Sequence, residues 1–412
     1  MYKTLLYLCT FKQQFMETVL RVYSRLLDAT DLKFTRYLYT DIDWSNRLIA
    51  ISGSRGTGKT TLLLQYIKKD IADKSKALYV SLDNIWFTTH TLSELVEQFY
   101  VMGGEHIFLD EVHRYPNWAI ELKNIYDSYP DLKIVFTGSS MLEIYQSQAD
   151  LSRRAIHYSL YGMSFREFLL LKYNMNYPVR TLNDILTNHF IHSSEITNGI
   201  KILPYFVEYL KYGYYPIFKE NIASYPERIQ GIVNAVIDAD LPACSTIEYS
   251  SGLKIKKLLA IISSIVPYTP NVTKLSAEIG ISRNSLLSYI HLLHQARLIF
   301  TLSSDAKGMS ILAKPDKIYL DNPNLLFTLS TANTNDGNVR ETFFANQLKV
   351  KHAVNSSKQT DFLIDSKYLF EIGGKNKSYE QIKNLNDSFV AVDGVESGFG
   401  NKIPLWLFGF LY

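Results

Sequence analysis

Apolar residues fall along this chain in several distinct rhythms. Between Arg47 and Phe136 they come as short unbroken runs: Leu48-Ile49-Ala50-Ile51, Ala77-Leu78-Tyr79-Val80, Ile107-Phe108-Leu109 and Ile134-Val135-Phe136. Such runs read as strands buried on both faces, the habit of parallel sheets covered by helices. Between the runs, Leu62, Leu63, Leu64 and Ile67, then Leu92, Leu95, Val96 and Phe99, recur at helical spacing. A further strand is expected over Ala155–Leu160. From about Leu169 to Ser250 the pattern is mostly helical. Leu253–Val266 reads as a helix stopped by Pro267, and Thr273–Gly280 with Ser282–Leu293 as helix, tight turn, helix. Ser282 suits an N-cap and Gly280 the turn. Arg297–Leu302 and Lys317–Leu320 follow as a strand pair. Ser330–Asn338 reads as a linker, and a helix is expected over Val339–Val350. Last, Thr360–Gly373 alternates with period two around Asp365-Ser366-Lys367, as a hairpin does. One face carries Phe362, Ile364, Phe370 and Ile372; the other carries Asp361, Leu363, Leu369 and Glu371.

Composition changes this picture little. The chain has 412 residues, room for two to four domains. Hydrophobic content of 47% and charged content of 20% are ordinary for a globular protein. A net charge of +3 does not by itself imply nucleic acid. Cys9 and Cys244 give neither a disulfide framework nor zinc spacing, so a reducing, cytoplasmic setting fits. The apolar start MYKTLLYLCTF is too short for a membrane span, and no membrane role is expected. It reads as the beginning of a helical region that ends near Leu38.

The first chemistry lies between the first strand and its helix. Gly53-Ser54-Arg55-Gly56-Thr57-Gly58-Lys59-Thr60 is a full G-x-x-x-x-G-K-[ST] phosphate-binding loop, and Thr61 continues it. Glycines let the backbone take positive φ and approach a ligand. The freed N–H groups then cradle phosphate oxygens at a helix N-terminus. Lys59 can reach the β- and γ-phosphates, and the Thr60 hydroxyl can ligate Mg²⁺. ATP with Mg²⁺ is therefore the expected ligand. The third apolar run ends in Asp110-Glu111. Ligands in open α/β sheets sit at the carboxyl ends of strands. Asp110 is thus expected to hold Mg²⁺, and Glu111 to orient and deprotonate the attacking water. Ser139, after the fourth run, is the first candidate to sense the γ-phosphate or the water, with Thr137 second. Arg153 and Arg154 precede the fifth strand, where a guanidinium could reach a neighbouring subunit's nucleotide.

GSRGTGKTT, LDEVHRYPNW, FTGSS, LSRR and YGMSFREFL, in this order and spacing, resemble the prokaryotic AAA+ ATPases of the AAA_14 type. The likeness runs over nearly the whole chain and implies a five-stranded parallel sheet of order 5-1-4-3-2. It also implies the roles given above for Lys59, Thr60, Asp110 and Glu111. Arg55 matches an arginine usual in the family's loop, and Arg154 is the closer match to its G-R arginine. The chain departs at Met163, in place of P-L-S-F, and at Tyr214, where a second glycine is common.

Two later stretches carry further resemblances. Gly252–Leu302 with Lys317–Leu320 is similar to a winged helix-turn-helix, which implies that Arg283, Asn284, Ser285 and Ser288 face a major groove. Six Lys and Arg against the single acid Glu278 make Ser251–Leu302 locally basic, which suits DNA phosphates. A lid or protein-docking module is the competing reading. Glu341, Asp361 and Glu371 resemble the core of PD-(D/E)xK nucleases, with the departure that Gly373 stands where that family's lysine belongs. Lys375 is the nearest substitute on the same side if the strand continues. With the turn centred on Ser366, Asp361 and Glu371 lie opposite each other. Two carboxylates about 5 Å apart repel by roughly 3 kcal/mol at an effective dielectric of 20.

The expected organisation is an N-terminal helical region (1–40), an AAA+ ATPase domain (41–170), a helical region (171–250), a winged helix (251–327) and a nuclease-like α+β domain (328–412). The leading function is Mg-dependent ATP hydrolysis coupled to the C-terminal modules, with a homo-oligomer or protein partner and DNA as candidate partners. An ATP-gated DNA-binding nuclease and a non-hydrolysing ATP-dependent switch are the alternatives.

Overall fold

The computed structural model describes residues 17–138, 151, 153–244, 251–304, 314–330 and 335–412. The chain divides into two compact units, one up to Tyr161 and one from Gly162 onward, apart from a short stretch after Pro242 that groups with the first. Among the described residues no helix is long and apolar enough to cross a membrane.

In the first unit the apolar runs form strands β1 (Leu48–Ser52), β2 (Ala77–Ser81), β3 (His106–Asp110), β4 (Lys133–Gly138) and β5 (Ile156–Ser159). They make one parallel sheet of order β2-β3-β4-β1-β5, the order of an AAA+ P-loop fold. Successive side chains of a strand point to opposite faces. Leu48, Ala50, Leu78, Val80, Ile107, Leu109, Ile134 and Phe136 therefore line one face, packed with Leu92, Leu95, Val96 and Phe99 of helix Leu92–Val101. Ile49, Ile51, Tyr79, Phe108 and Val135 line the other, against Leu62, Leu63 and Ile67 of helix Lys59–Asp70. Burying each of the leucine, isoleucine, valine and phenylalanine side chains among these stabilises the unit by about 1.5–3 kcal/mol. Helix Leu92–Val101 starts where it does because Thr91 and Glu94 form a reciprocal capping box. Residues 17–29 are helical, and Tyr23 joins the core on the Lys59–Asp70 side.

The second unit opens with helices Phe165–Tyr173, Leu182–Thr197, Ile202–Tyr212 and Tyr225–Ala235. Phe165 and Phe168 pack edge-on or tilted against Phe206, Tyr209 and Phe218. Next come helices Ser251–Ile265, Val272–Ile279 and Arg283–Gln295, then the antiparallel pair β6 (Ile299–Leu302) and β7 (Lys317–Leu320). Gly280 ends its helix in the left-handed region and Ser282 caps the next. The helix expected from Val339 begins earlier, at Asp336, because the Asn335 side chain accepts from Asn338 N and caps it. The unit ends in a five-stranded sheet of order β12-β11-β10-β9-β8: β8 (Val354–Ser356), β9 (Phe362–Ile364), β10 (Tyr368–Gly373), β11 (Ser388–Val392) and β12 (Lys402–Pro404). β9 and β10 form a hairpin with Phe362 opposite Phe370, its turn carried by Asp365 and Ser366 at positive φ.

Candidate functional site

The parallel sheet brings the carboxyl ends of β1, β3 and β4 side by side, with Ser52 paired to Gly138. The phosphate-binding loop leaves β1 there. Gly56 and Gly58 take φ of 77° and 92°, a region closed to most side chains. Gly53 is required for a different reason: a Cβ there would meet the Leu160 carbonyl oxygen at 2.4 Å. Thr57 is buried and its hydroxyl donates to the Ser54 carbonyl at 2.8 Å, which tightens the loop. Gly58 caps helix Lys59–Asp70 without a side-chain acceptor, so its first N–H groups are left for a ligand. Lys59 is 5% exposed, and its Nζ donates to the Gly53 and Ser54 carbonyls at 2.9 and 3.1 Å, inside the loop. Thr61 is exposed on the helix's first turn.

Asp110, the last residue of β3, is 2% exposed and held on both oxygens. Its Oδ2 accepts from the Thr60 hydroxyl at 2.5 Å and from the Tyr79 hydroxyl at 2.9 Å. Its Oδ1 accepts from the Thr137 hydroxyl and from Glu111 N. Burial, with the Asp110 charge added, pushes the Tyr79 phenol far up, so it stays a donor. Thr60 and Asp110 are thus adjacent oxygen donors beside a phosphate cradle, a set suited to Mg²⁺, a hard cation that prefers oxygen ligands.

Glu111 takes φ of 53°, which turns its side chain out of the strand line. Its Oε2 lies 3.4 Å from His113 Nε2 and 3.9 Å from Arg55 Nη2. The structure therefore draws Lys59, Thr60, Asp110, Glu111 and Arg55 into one site. Of the two sensor candidates, Ser139 lies outside the described residues, and Thr137 bonds Asp110 directly. Arg154 closes on Asp127 of helix Trp118–Ser128 with two 3.0 Å hydrogen bonds, a bidentate pair within the chain.

Three contributors carry no motif. Arg36, 4% exposed, donates to the carbonyls of Thr57, in the loop, and of Tyr161, at 2.8 Å for the latter. Tyr79 and His113 are the others. All three are joined to the site by folding rather than by local spacing, though His113 lies two residues from Glu111, a hint that proximity alone offered.

In the second unit Glu341 sits on helix Asp336–Leu348 and accepts from the Tyr319 hydroxyl at 2.6 Å. Asp361 Oδ2 accepts from Ile372 N at 2.8 Å, across the hairpin beside Glu371. Burial, chiefly, raises the Glu341 and Asp361 carboxyls, with neighbouring acids adding to it. Lys375, the expected lysine, is exposed. Two other lysines reach this group: Lys377, whose Nζ lies 2.6 Å from Glu371 Oε1, and Lys317, whose Nζ lies 4.0 Å from Asp361 Oδ1. β10 ends at Gly373 and the chain turns back through Lys377 N to Gly374 O. The Lys377 stem then crosses Gly373 so closely that a Cβ there would meet it at 2.5 Å. Among the described residues no three His, Cys, Asp or Glu side chains are arranged to hold a metal.

On helix Arg283–Gln295, Arg283 and Asn284 are exposed on the first turn. Ser285 is drawn into the cap instead, its N–H and hydroxyl both within hydrogen-bond distance of the Ser282 hydroxyl. Ser288 is half-buried.

Residues 45–169 match the AAA_14 family, an AAA domain, and residues 203–336 match a domain of unknown function, DUF8612. An uncharacterized protein of Methanocaldococcus jannaschii is 27% identical over 289 residues, 67% of this chain and 60% of that protein. The chain thus spans about three fifths of that relative's length. Among solved structures, AMPPCP-bound DnaA from Aquifex aeolicus is similar over 67% of this chain and 87% of its own, at 13% identity and a TM-score of 0.27. PCH-2 of C. elegans is similar over 40% of this chain and 46% of its own, at 22% identity and a TM-score of 0.23. The AAA-domain match spans the loop, the acids and the parallel sheet described above.

Proposed function

We propose that this chain binds ATP with Mg²⁺ at Gly53–Thr61 and hydrolyses it with Glu111. The observation that supports this best is the convergence of Lys59, Thr60, Asp110 and Glu111 at the ends of β1 and β3. The first N–H groups of helix Lys59–Asp70 and the Lys59 ammonium bind the phosphates. Thr60 and Asp110 would hold Mg²⁺, which when bound neutralises charge on the phosphate oxygens. Thr137 and Tyr79 orient Asp110, and Glu111 positions a water and takes its proton. Arg154 stays paired to Asp127, so a role on a neighbouring subunit's nucleotide requires that pair to open. A cytoplasmic setting is part of the same reading.

Equilibrium binding of a fluorescent ATP analogue tests the site. Wild-type protein with Mg²⁺ binds in the micromolar range or tighter, and Lys59→Ala loses at least tenfold in affinity. Equal affinity of the two proteins would remove the nucleotide from this loop.

DNA contact by the second unit is a second reading, favoured by the exposure of Arg283 and Asn284 on the first turn of a capped helix. In this reading the three helices and the β6–β7 pair are a winged helix. Arg283→Ala then weakens a duplex gel shift and lowers its salt slope by about one. A shift that the substitution leaves untouched would remove DNA from this helix.

A further inference from the structure

The surroundings of Glu111 hold more than a hydrolytic role requires. Its Oε2 is buried and, among the described residues, accepts no hydrogen bond, yet two nitrogen-bearing side chains face it. One, His113, is 3% exposed and fixed in the turn that follows β3. The other, Arg55, is partly exposed and belongs to the phosphate-binding loop itself, just ahead of Gly56 and its positive φ. A carboxylate whose guanidinium partner rides on an anion cradle must compete with any anion that enters the cradle. The contest is uneven. A partly exposed ion pair at 3.9 Å is weak. Phosphate oxygens accept from a guanidinium in bidentate geometry.

We propose that Arg55 is a positioning residue for Glu111, shared between that carboxylate and the phosphate chain of a nucleoside triphosphate. As the phosphate claims the guanidinium, Glu111 keeps the His113 imidazole beside it and its oxygen is released toward water. Glu111 is thereby freed by the ligand on which it acts. This rests on the nucleotide-binding reading above.

The test is a double-mutant cycle on the full chain, read as the Kd for Mg²⁺ with β,γ-methylene ATP, so that hydrolysis plays no part. Glu111→Gln removes the competing charge and tightens binding about three- to fivefold in the wild-type background. In the Arg55→Ala background the same change has no effect. Arg55→Gln, which keeps the side-chain stem, replaces the alanine variant if circular dichroism shows that one misfolded. Equal tightening with and without Arg55 would mean that Glu111 repels phosphate through space, and the proposal falls. No tightening in either background also overturns it. Absence of binding by the wild-type chain would overturn the nucleotide reading itself, a result distinct from the other two.

Discussion

Arg36 shows how much of the site rests on single residues without a motif. It is buried, and its guanidinium spans two carbonyls, Thr57 in the loop and Tyr161 after β5. Hydrogen bonds from a charged group contribute about 1.5–3 kcal/mol each when a partner is lost. Arg36→Ala is therefore expected to destabilise the first unit by about 2–3 kcal/mol in urea unfolding. Arg36→Lys should recover only part of this, since an ammonium lacks the planar fork. An alanine variant as stable as wild type would show that the loop holds itself. Nothing near Arg36 in the chain announces this role. Lys59, Asp110 and Glu111 were legible because a phosphate cradle is contiguous and an acid at the end of an apolar run has fixed geometry. Arg36 and Tyr79 reach the site only through the fold, and His113 was hinted at only by its nearness to Glu111.

At the scale of elements, the hairpin of β9 and β10 was legible down to its register, because alternation of Phe362, Ile364, Phe370 and Ile372 leaves one face to bury. Its lysine was not. Extrapolating the strand past Gly373 places Lys375 on the acid's side, but the strand stops there and the backbone doubles back, so Lys377 arrives instead. Strand ends are set by turns and packing that periodicity does not encode. The acids nearby make a pH-dependent prediction. Glu341 has its carboxyl raised, first by burial and then by the Asp361 charge. A raised carboxyl favours the protonated folded state. Its contribution to stability is whole below the unfolded value near 4.3 and is lost as pH rises through the raised folded value. Glu341→Gln keeps an acceptor for Tyr319 without the charge. It should raise the second unit's unfolding midpoint by roughly 2–4 °C at pH 8, with the gap closing toward pH 4. A lower midpoint at pH 8 would mean that the carboxylate charge is needed where it stands.

For the molecule as a whole, the strands of the first unit were legible from apolar runs and their order only from a family likeness, while the jobs of the second unit were not. A capped helix pair and a mixed sheet each serve many chemistries, and function is carried by particular side chains. Ligand linkage separates the two units experimentally. Mg-ATP at about a hundred times its Kd stabilises the unit that binds it by about 2.7 kcal/mol. Calorimetry of the full chain should therefore show the transition of the first unit moving upward and that of the second unmoved. Movement of the second transition alone would place the nucleotide elsewhere.

ATP hydrolysis is proposed to need the loop, Asp110 and Glu111 together. Phosphate release by the purified full chain, with saturating ATP and Mg²⁺, measures it directly. Wild-type protein is predicted to turn over, and Glu111→Gln to do so about a hundredfold more slowly or worse while still binding nucleotide. Turnover by Glu111→Gln equal to wild type, or none by wild type despite tight binding, would contradict it.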